Sequence, residues 1–276
     1  MNASDLKTAA RRFGADLVGI APIAKFAELP PERSPLAVFP QAKSMIVLGR
    51  RILRGAVSSA GQGRGSEGSF RHFGFLALED NYLAKTTYDL CLWVEARGFE
   101  AVPMFAYDAD LALAAPLATP VAPDKPAPNV QVDARLAAAF AGLGEAGRAG
   151  LFITPEFGTR QRFAMLLSDF EFEPDAEKAF GFCEGCGGAC ASACPLGAMP
   201  EGGGAPDIAV CRKCRNGAQQ TNWGRFNTVD RVAAHCGRAC LASLERRGLA
   251  ASPAAAAPIA EAPAWSVNIY GETEAK

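Results

Sequence analysis

The pattern of hydrophobic and polar positions divides the first two thirds of the chain into short helices and strands. Residues 4–13 carry apolar side chains at the spacing of a short helix, and residues 70–98 do so over the length of a long helix. An alanine-rich helix is predicted for residues 132–141, with Asp133 as its N-cap or first-turn acid. Short apolar runs predict strands at residues 15–20, 44–48, 101–106, 150–154 and 163–170. This mixture predicts an α+β fold.

Composition and charge narrow the classes of partner. The formal net charge of the 276 residues is −1, with basic and acidic residues interspersed, so the chain lacks the cationic surface of a nucleic-acid-binding protein. No apolar run approaches the roughly 20 residues that span a bilayer. The Arg11-Arg12 pair is followed by Asp16 and a strand-like run rather than an apolar export segment, so we interpret it as part of a solvated helix face. We expect no nucleic-acid partner, no membrane partner and a cytoplasmic location.

Cysteine residues are concentrated in one segment. Cys91 stands alone, midway along an apolar helix, and is interpreted as a buried small hydrophobic residue. The other eight crowd into fewer than sixty residues, which in a chain of this length favours thiolates that bind metal over disulfides. The eight are Cys183, Cys186, Cys190, Cys194, Cys211, Cys214, Cys236 and Cys240.

The first four of these cysteines are spaced as in a bacterial ferredoxin. The run C-x2-C-x3-C-x3-C-P differs from the usual ferredoxin pattern by one extra residue in its middle spacing. In two-cluster ferredoxins the fourth cysteine of such a run ligates the other cluster, so we predict two 4Fe-4S clusters with crossed ligands. The predicted ligands are Cys183, Cys186, Cys190 and Cys240 for cluster one, and Cys194, Cys211, Cys214 and Cys236 for cluster two.

Two alternatives concern this metal prediction. Paired CxxC motifs also bind structural zinc, but four cysteines in twelve residues ending in Cys-Pro fit a cubane better than a zinc tetrahedron. His235 is next to a cysteine and could be a ligand, although a full thiolate set makes a neighbouring or surface position the preferred interpretation.

The segment from Ala139 to Gly158, AFAGLGEAGRAGLFITPEFG, precedes the cysteine run and resembles the epoxyqueuosine reductase and reductive dehalogenase group. The runs ADLVGIAPIAKF and AKSMIVLGRRI are similar to the N-terminal half of shorter iron-sulfur proteins related to that reductase. The resemblance implies a nitroreductase-like, corrinoid-binding body with a C-terminal ferredoxin-like domain, which feeds single electrons to a buried cobalamin. A flavin is the less favoured organic cofactor. The residues that the resemblance places near the corrinoid are Gly142, Gly144, Gly147, Phe152, Thr154 and Phe163.

The chain departs from that group at the catalytic acid. The reductases carry an aspartate in a V-D-S-A-like stretch about fourteen residues before the GLG, a position that falls here on Pro128. Asp133 is the nearest acid but lies five residues later. Tyr107, which follows a predicted strand, is a second candidate proton donor. The repeat domain that helps the epoxyqueuosine reductases to grip transfer RNA has no counterpart, so that particular activity is not expected.

The domain and function predictions follow from these features. We expect an α+β cofactor or substrate body at residues 1–175, a two-cluster domain at 176–248 and an alanine- and proline-rich extended or disordered tail at 249–276. The predicted function is an iron-sulfur oxidoreductase that takes electrons from a ferredoxin- or flavodoxin-type donor and reduces a corrinoid or small-molecule substrate. A non-catalytic electron carrier, a reductive activator of a partner enzyme and a redox sensor are the alternatives.

Overall fold

A four-stranded antiparallel sheet forms the centre of the body. The computed structural model describes residues 1–60, 67–104, 130, 132–200, 204–214, 219–221, 228–253, 256–259, 266–267 and 273–274. The strands of the described chain are β1 (Leu17–Pro22), β2 (Ser44–Arg51), β3 (Ala101–Met104), β4 (Glu145–Ala146), β5 (Phe152–Ile153), β6 (Gln161–Ser168), β7 (Gln219–Thr221), β8 (Thr228–Asp230), β9 (Ser266–Val267) and β10 (Thr273–Glu274). The central sheet has the order β1-β2-β6-β3, and every neighbouring pair in it is antiparallel.

The helices cover the sheet and continue into the cysteine segment. Those of the described residues are α1 (Ala3–Arg12), α2 (Arg54–Ala60), α3 (Glu67–Arg71), α4 (Ala84–Glu95), α5 (Ala134–Phe140), α6 (Ala189–Ser192), α7 (Ile208–Cys211) and α8 (His235–Arg246). Short 3-10 helices run over Ile23–Phe26 and Pro35–Ala37, and π-helical turns over His72–Leu76 and Leu78–Leu83 join α3 to α4. The long helix predicted for residues 70–98 is thus a single helical stretch with wider turns in its first half.

Both faces of the central sheet are buried. Side chains alternate across it, so that Val18 and Leu48 face α1 and α4, whereas Val47 and Met165 face α5. Because helices cover both faces of the sheet, most residues of β2 and β6 are apolar. The predicted α+β character of the chain is confirmed in this mixed helix and sheet architecture, with element ends shifted by a few residues.

The cysteine segment shares a core with the body. Cys190, Cys211 and Cys236 belong to the same buried cluster as Ile52 and Phe70. A bidentate ion pair joins the two parts, because the Arg54 guanidinium on α2 donates to both carboxylate oxygens of Glu245 on α8, each at 2.8 Å. The predicted boundary at residue 176 remains a prediction.

The segment after residue 248 is partly packed against the body. Ala250 and Ile259 are buried, and the described residues 251–253 and 256–259 adopt neither helix nor strand. Arg54 donates to the carbonyl oxygen of Ala257 at 2.7 Å. None of the described helices is both long and apolar enough to cross a membrane.

Candidate functional site

The first of two cysteine-lined cavities lies between the end of the body and α8. Cys183, Cys186, Cys190 and Cys240 line it, and its atom-free space is about 350 Å³. Apolar side chains complete the wall; among them are Ile153, Phe182 and Leu244. We refer to this space as cavity one.

Backbone groups hold the ligand loop of cavity one in place. The amide of Arg148 donates to the Sγ of Cys183 at 3.3 Å, and the amide of Gly188 donates to the Sγ of Cys186 at 3.4 Å. Gly188 precedes α6 with a φ of 74°, a left-handed conformation that suits glycine. Amides that point at thiolate sulfurs stabilise the negative charge those sulfurs carry when they ligate a metal.

The Glu145 carboxylate fastens the segment just before Cys183. Its two oxygens accept hydrogen bonds from the backbone amides of Phe180 at 2.8 Å, Gly181 at 3.2 Å and Phe182 at 2.9 Å. Glu145 is the acid of the GLGE motif, so the motif ties β4 to the first cysteine loop. Sequence reasoning did not assign this role, because the contact spans 35 to 37 residues of chain.

The second cavity lies at the N-terminal end of α8, about one helical turn from the first. Cys194, Cys211, Cys214 and Cys236 line it, and its atom-free space is about 330 Å³. The Sγ of Cys194 accepts a hydrogen bond from the amide of Ala198 at 3.3 Å. Further lining residues are Pro195, Leu196, Ala198, Met199, Arg231, Ala234 and His235. We refer to this space as cavity two.

The two cysteines of α8 face different cavities because they lie on successive turns of the helix. Cys236 and Cys240 lie four residues apart, about one helical turn, yet Cys236 lines cavity two and Cys240 lines cavity one. Likewise, the first three cysteines of the ferredoxin-like run line cavity one, whereas the fourth, Cys194, lines cavity two. These two groups of four are the groups that the crossover hypothesis names, while ligation of iron by them stays a prediction.

The donor set of each cavity suits an iron-sulfur cubane. Four cysteine sulfurs around one space match the ligand complement of a 4Fe-4S cluster, and amides directed at the sulfurs are a feature that tunes such clusters. A zinc ion would instead draw its thiolates to about 2.3 Å from one point. Among the described residues, no three His, Cys, Asp or Glu side chains form a group that could hold a single metal ion.

Burial makes these thiols costly to ionise without a metal. Desolvation raises the pKa of Cys236 to about 12, and it also raises the pKa values of Cys240, Cys190 and Cys211. The nearby cysteines add to the increase, whereas the positive charge of Arg231 opposes it at Cys211 and Cys236. A cationic iron-sulfur core would supply the charge that four buried thiolates need.

The residues predicted to face a corrinoid are engaged mainly with protein. A Cβ on Gly142 would lie 2.2 Å from the carbonyl oxygen of Ala176, and one on Gly144 would lie 2.0 Å from that of Ile153. Both glycines therefore permit close backbone packing rather than leave an open cradle. Gly147 lines cavity one, where a Cβ would lie 3.4 Å from the Sγ of Cys183.

The remaining three lie in the core of the body. Phe152 and Phe163 are buried and pack edge to face with ring centroids 5.3 Å apart. Thr154 is fully buried, and its hydroxyl is 3.2 Å from the Oε1 of Gln161 and accepts the amide of Phe157. The six therefore offer no cradle for a corrinoid ring in the described structure.

Of the two candidate proton donors, Asp133 and Tyr107, only Asp133 lies among the described residues. Asp133 is the N-cap of α5: its carboxylate accepts the amide of Arg135 at 2.8 Å and lies 3.2 Å from the Arg135 Nη2. The predicted capping role of Asp133 is therefore confirmed. Tyr107 lies outside the described residues.

Two arginines beside and within β6, Arg160 and Arg162, are buried and half-buried, respectively. Arg160 is buried and donates to the carbonyl oxygens of Ile52 and Ala251, each at 3.1 Å. Arg162 forms an ion pair with the buried Asp230 of β8. Both guanidinium groups contact distant chain segments, which sequence spacing does not reveal, although the Nε of Arg160 has no hydrogen-bond partner among the described residues.

Part of the sequence is similar to curated reductases. A segment of 62 residues is 52% identical to the tetrachloroethene reductive dehalogenase of Desulfitobacterium hafniense, covering 21% of this chain and 11% of that protein. The corresponding enzyme of Sulfurospirillum multivorans is 38% identical over 86 residues, which is 30% of this chain and 16% of that protein. No protein-family model matches the chain.

Solved structures of two kinds of reductase share the fold. A catabolic reductive dehalogenase aligns over 85% of this chain and 31% of its own with a TM-score of 0.56 at 18% identity. The epoxyqueuosine reductase of Streptococcus thermophilus aligns over 86% of this chain and 67% of its own with a TM-score of 0.54 at 16% identity. A reductive dehalogenase described with a mechanism for B12-dependent dehalogenation has a TM-score of 0.55 at 18% identity over 85% of this chain and 31% of its own.

These comparisons confirm the predicted resemblance to the epoxyqueuosine reductase and reductive dehalogenase group. All the relatives named are reductases, as expected for a chain interpreted as an oxidoreductase. The curated matches cover far less than two thirds of those relatives' own length. Cluster number, ligands and substrate are therefore matters for proposal.

Proposed function

We propose that this chain is an iron-sulfur oxidoreductase that binds two 4Fe-4S clusters and passes single electrons through them for a reductive reaction. The observation that carries the proposal is the pair of cavities, each lined by four cysteines and separated by one turn of α8. Cysteines of adjacent helical turns keep the two sites close, as stepwise electron transfer requires.

The protein's own groups have defined tasks in this proposal. The eight thiolates hold the clusters, and the amides of Arg148, Gly188 and Ala198 stabilise charge on the ligand sulfurs. Apolar side chains such as Ile153 and Phe182 keep water from cavity one, and lower solvent exposure tunes the reduction potential. A ferredoxin- or flavodoxin-type protein is the proposed electron donor.

The electron acceptor is proposed from the relatives. Their names indicate reductive dehalogenation, in one case B12-dependent, and epoxyqueuosine reduction. A corrinoid is therefore the organic cofactor to test, but the six residues assigned to it by resemblance are packed against protein or line cavity one. We derive no chemical step through a corrinoid. The same packing favours the alternative of an electron carrier or reductive activator.

Metal and cofactor analysis of the protein purified without oxygen tests the proposal. We expect about eight irons and eight sulfides per chain, the content of two 4Fe-4S clusters. Stoichiometric cobalt would support the corrinoid enzyme, whereas eight irons with neither cobalt nor flavin would support the carrier. Fewer than about four irons, with zinc in their place, would overturn the proposal.

A further inference from the structure

A buried arginine faces cavity two and has little else to neutralise it. Arg231 is 2% exposed and lines that cavity together with Cys211 and Cys236. Its Nε and Nη2 have no hydrogen-bond partner within the described part of the chain. Among the described residues, its Nη1 reaches only the Sδ of Met199, at 4.0 Å.

The nearest acid in sequence does not supply the missing partner. Asp230 forms an ion pair with Arg162, and it accepts the amide of Val232 at 3.0 Å. The Nη2 of Arg231 and the Nη1 of a second arginine, Arg135, both lie near Gly150, at 3.4 Å and 3.8 Å from the position that a Cβ there would take. Arg135 is itself paired with Asp133. A buried charge left in this state is costly, so an anion in contact with it would stabilise the folded protein.

Cavity one differs in this respect. Its two arginines are Arg148, which is exposed, and Arg247, which is half-buried and donates to the carbonyl oxygens of Phe182 and Glu184. Water screens an exposed charge strongly, whereas a charge in the protein interior acts at a lower effective dielectric constant. The electrostatic influence of arginine should therefore be larger in cavity two than in cavity one.

We propose that Arg231 is a positioning residue that stabilises the reduced state of the cluster in cavity two and so raises its reduction potential. This inference rests on the proposed function, because it requires a cluster at Cys194, Cys211, Cys214 and Cys236. Four thiolates outweigh the positive charge of an iron-sulfur core, so the ligated cluster is an anion, and one-electron reduction adds a further negative charge. A buried guanidinium favours the more negative state.

Substitution of Arg231 tests the inference through the potentials of the two clusters. We expect Arg231→Gln to lower the potential of cluster two by at least about 59 mV, a tenfold change in the one-electron equilibrium constant, and to leave cluster one unchanged. Arg231→Lys, which retains the charge, should keep most of the wild-type value. An anaerobic redox titration followed by electron paramagnetic resonance measures both potentials, with the cluster two signal assigned by its loss in Cys211→Ser.

A matched control separates charge at the cavity from general damage. Arg160 is 5% exposed but lines neither cysteine cavity, so Arg160→Gln should leave both potentials unchanged. Equal shifts in Arg160→Gln and Arg231→Gln, or no shift in Arg231→Gln, would overturn the inference. If Arg231→Gln loses cluster two, retention of the cluster and its potential in Arg231→Lys would support the role of charge, whereas loss in both would overturn it.

Iron content distinguishes failure of the role proposed for Arg231 from failure of the proposed function. Wild-type protein with about eight irons and an unshifted potential in Arg231→Gln would contradict only the role of Arg231. Wild-type protein that binds no iron-sulfur cluster would contradict the proposed function itself.

Discussion

The two cysteine cavities have the same ligand complement and nearly the same size, but the protein surrounds them differently. At cavity one, a group that is not itself a ligand fixes the cysteine loop: the Glu145 carboxylate accepts hydrogen bonds from three backbone amides next to Cys183. The arginines that line this cavity are exposed or half-buried. Cavity two contains a fully buried guanidinium, that of Arg231, in its wall. The difference suggests that protein contacts secure the backbone of site one, whereas charge secures and tunes site two.

The largest expected effect concerns the crossed ligands themselves. Cys194→Ser and Cys211→Ser should damage the same cluster, because both line cavity two, and each should lower the iron content from about eight to about four per chain. Cys183→Ser should damage the other cluster. Iron analysis and electron paramagnetic resonance of the three variants measure this. Loss of the same signal in Cys194→Ser and Cys183→Ser would refute the crossover.

A smaller effect is expected when the carboxylate beside cavity one is removed. Glu145→Ala leaves three backbone amides without their acceptor, and we expect a loss of roughly 2–3 kcal/mol in the free energy of unfolding, together with lower iron occupancy of cluster one. Glu145→Gln retains one oxygen acceptor, so its free energy of unfolding and its iron occupancy should lie between those of the wild type and of Glu145→Ala. Urea unfolding and iron analysis provide the measurements.

Glu177→Ala is the matched control for that experiment. Glu177 pairs with Lys25 at 3.0 Å, but both side chains are about half exposed, and such pairs contribute less than about 1 kcal/mol. Similar losses of stability in Glu145→Ala and Glu177→Ala would argue against a special role for the GLGE acid. Preferential loss of cluster two in Glu145→Ala would break the contrast between the cavities.

The smallest effect is expected at the thiol outside both cavities. Burial and, to a lesser extent, Glu95 raise the pKa of Cys91 to about 11, so only about one thiol in a thousand is ionised at pH 8. Alkylation of Cys91 in the native protein should be on the order of a hundredfold slower than that of a free thiol, and Cys91→Ala should leave the iron content unchanged. Mass spectrometry after timed alkylation measures the rate; rapid native labelling would disprove its burial.

Much of the body could be predicted from local patterns. Apolar runs located β2 and β6 because buried strands of this sheet carry hydrophobic side chains on both faces. Helical spacing located α1, and Asp133 marked the start of α5. The long helix was predicted, but its π-helical turns were not, since they depend on packing rather than on residue spacing.

The sequence by itself determined which residues could carry the chemistry, namely the eight cysteines. Their spacing also led to the expectation that Cys194 belongs to cluster two and Cys240 to cluster one. Spacing has this power because ligand loops and helical turns are local. Only the tertiary structure decided that Glu145 fastens the first cysteine loop and that Arg231 lies buried at cavity two. Those contacts join segments far apart in the chain, and their charges matter because folding removes them from water.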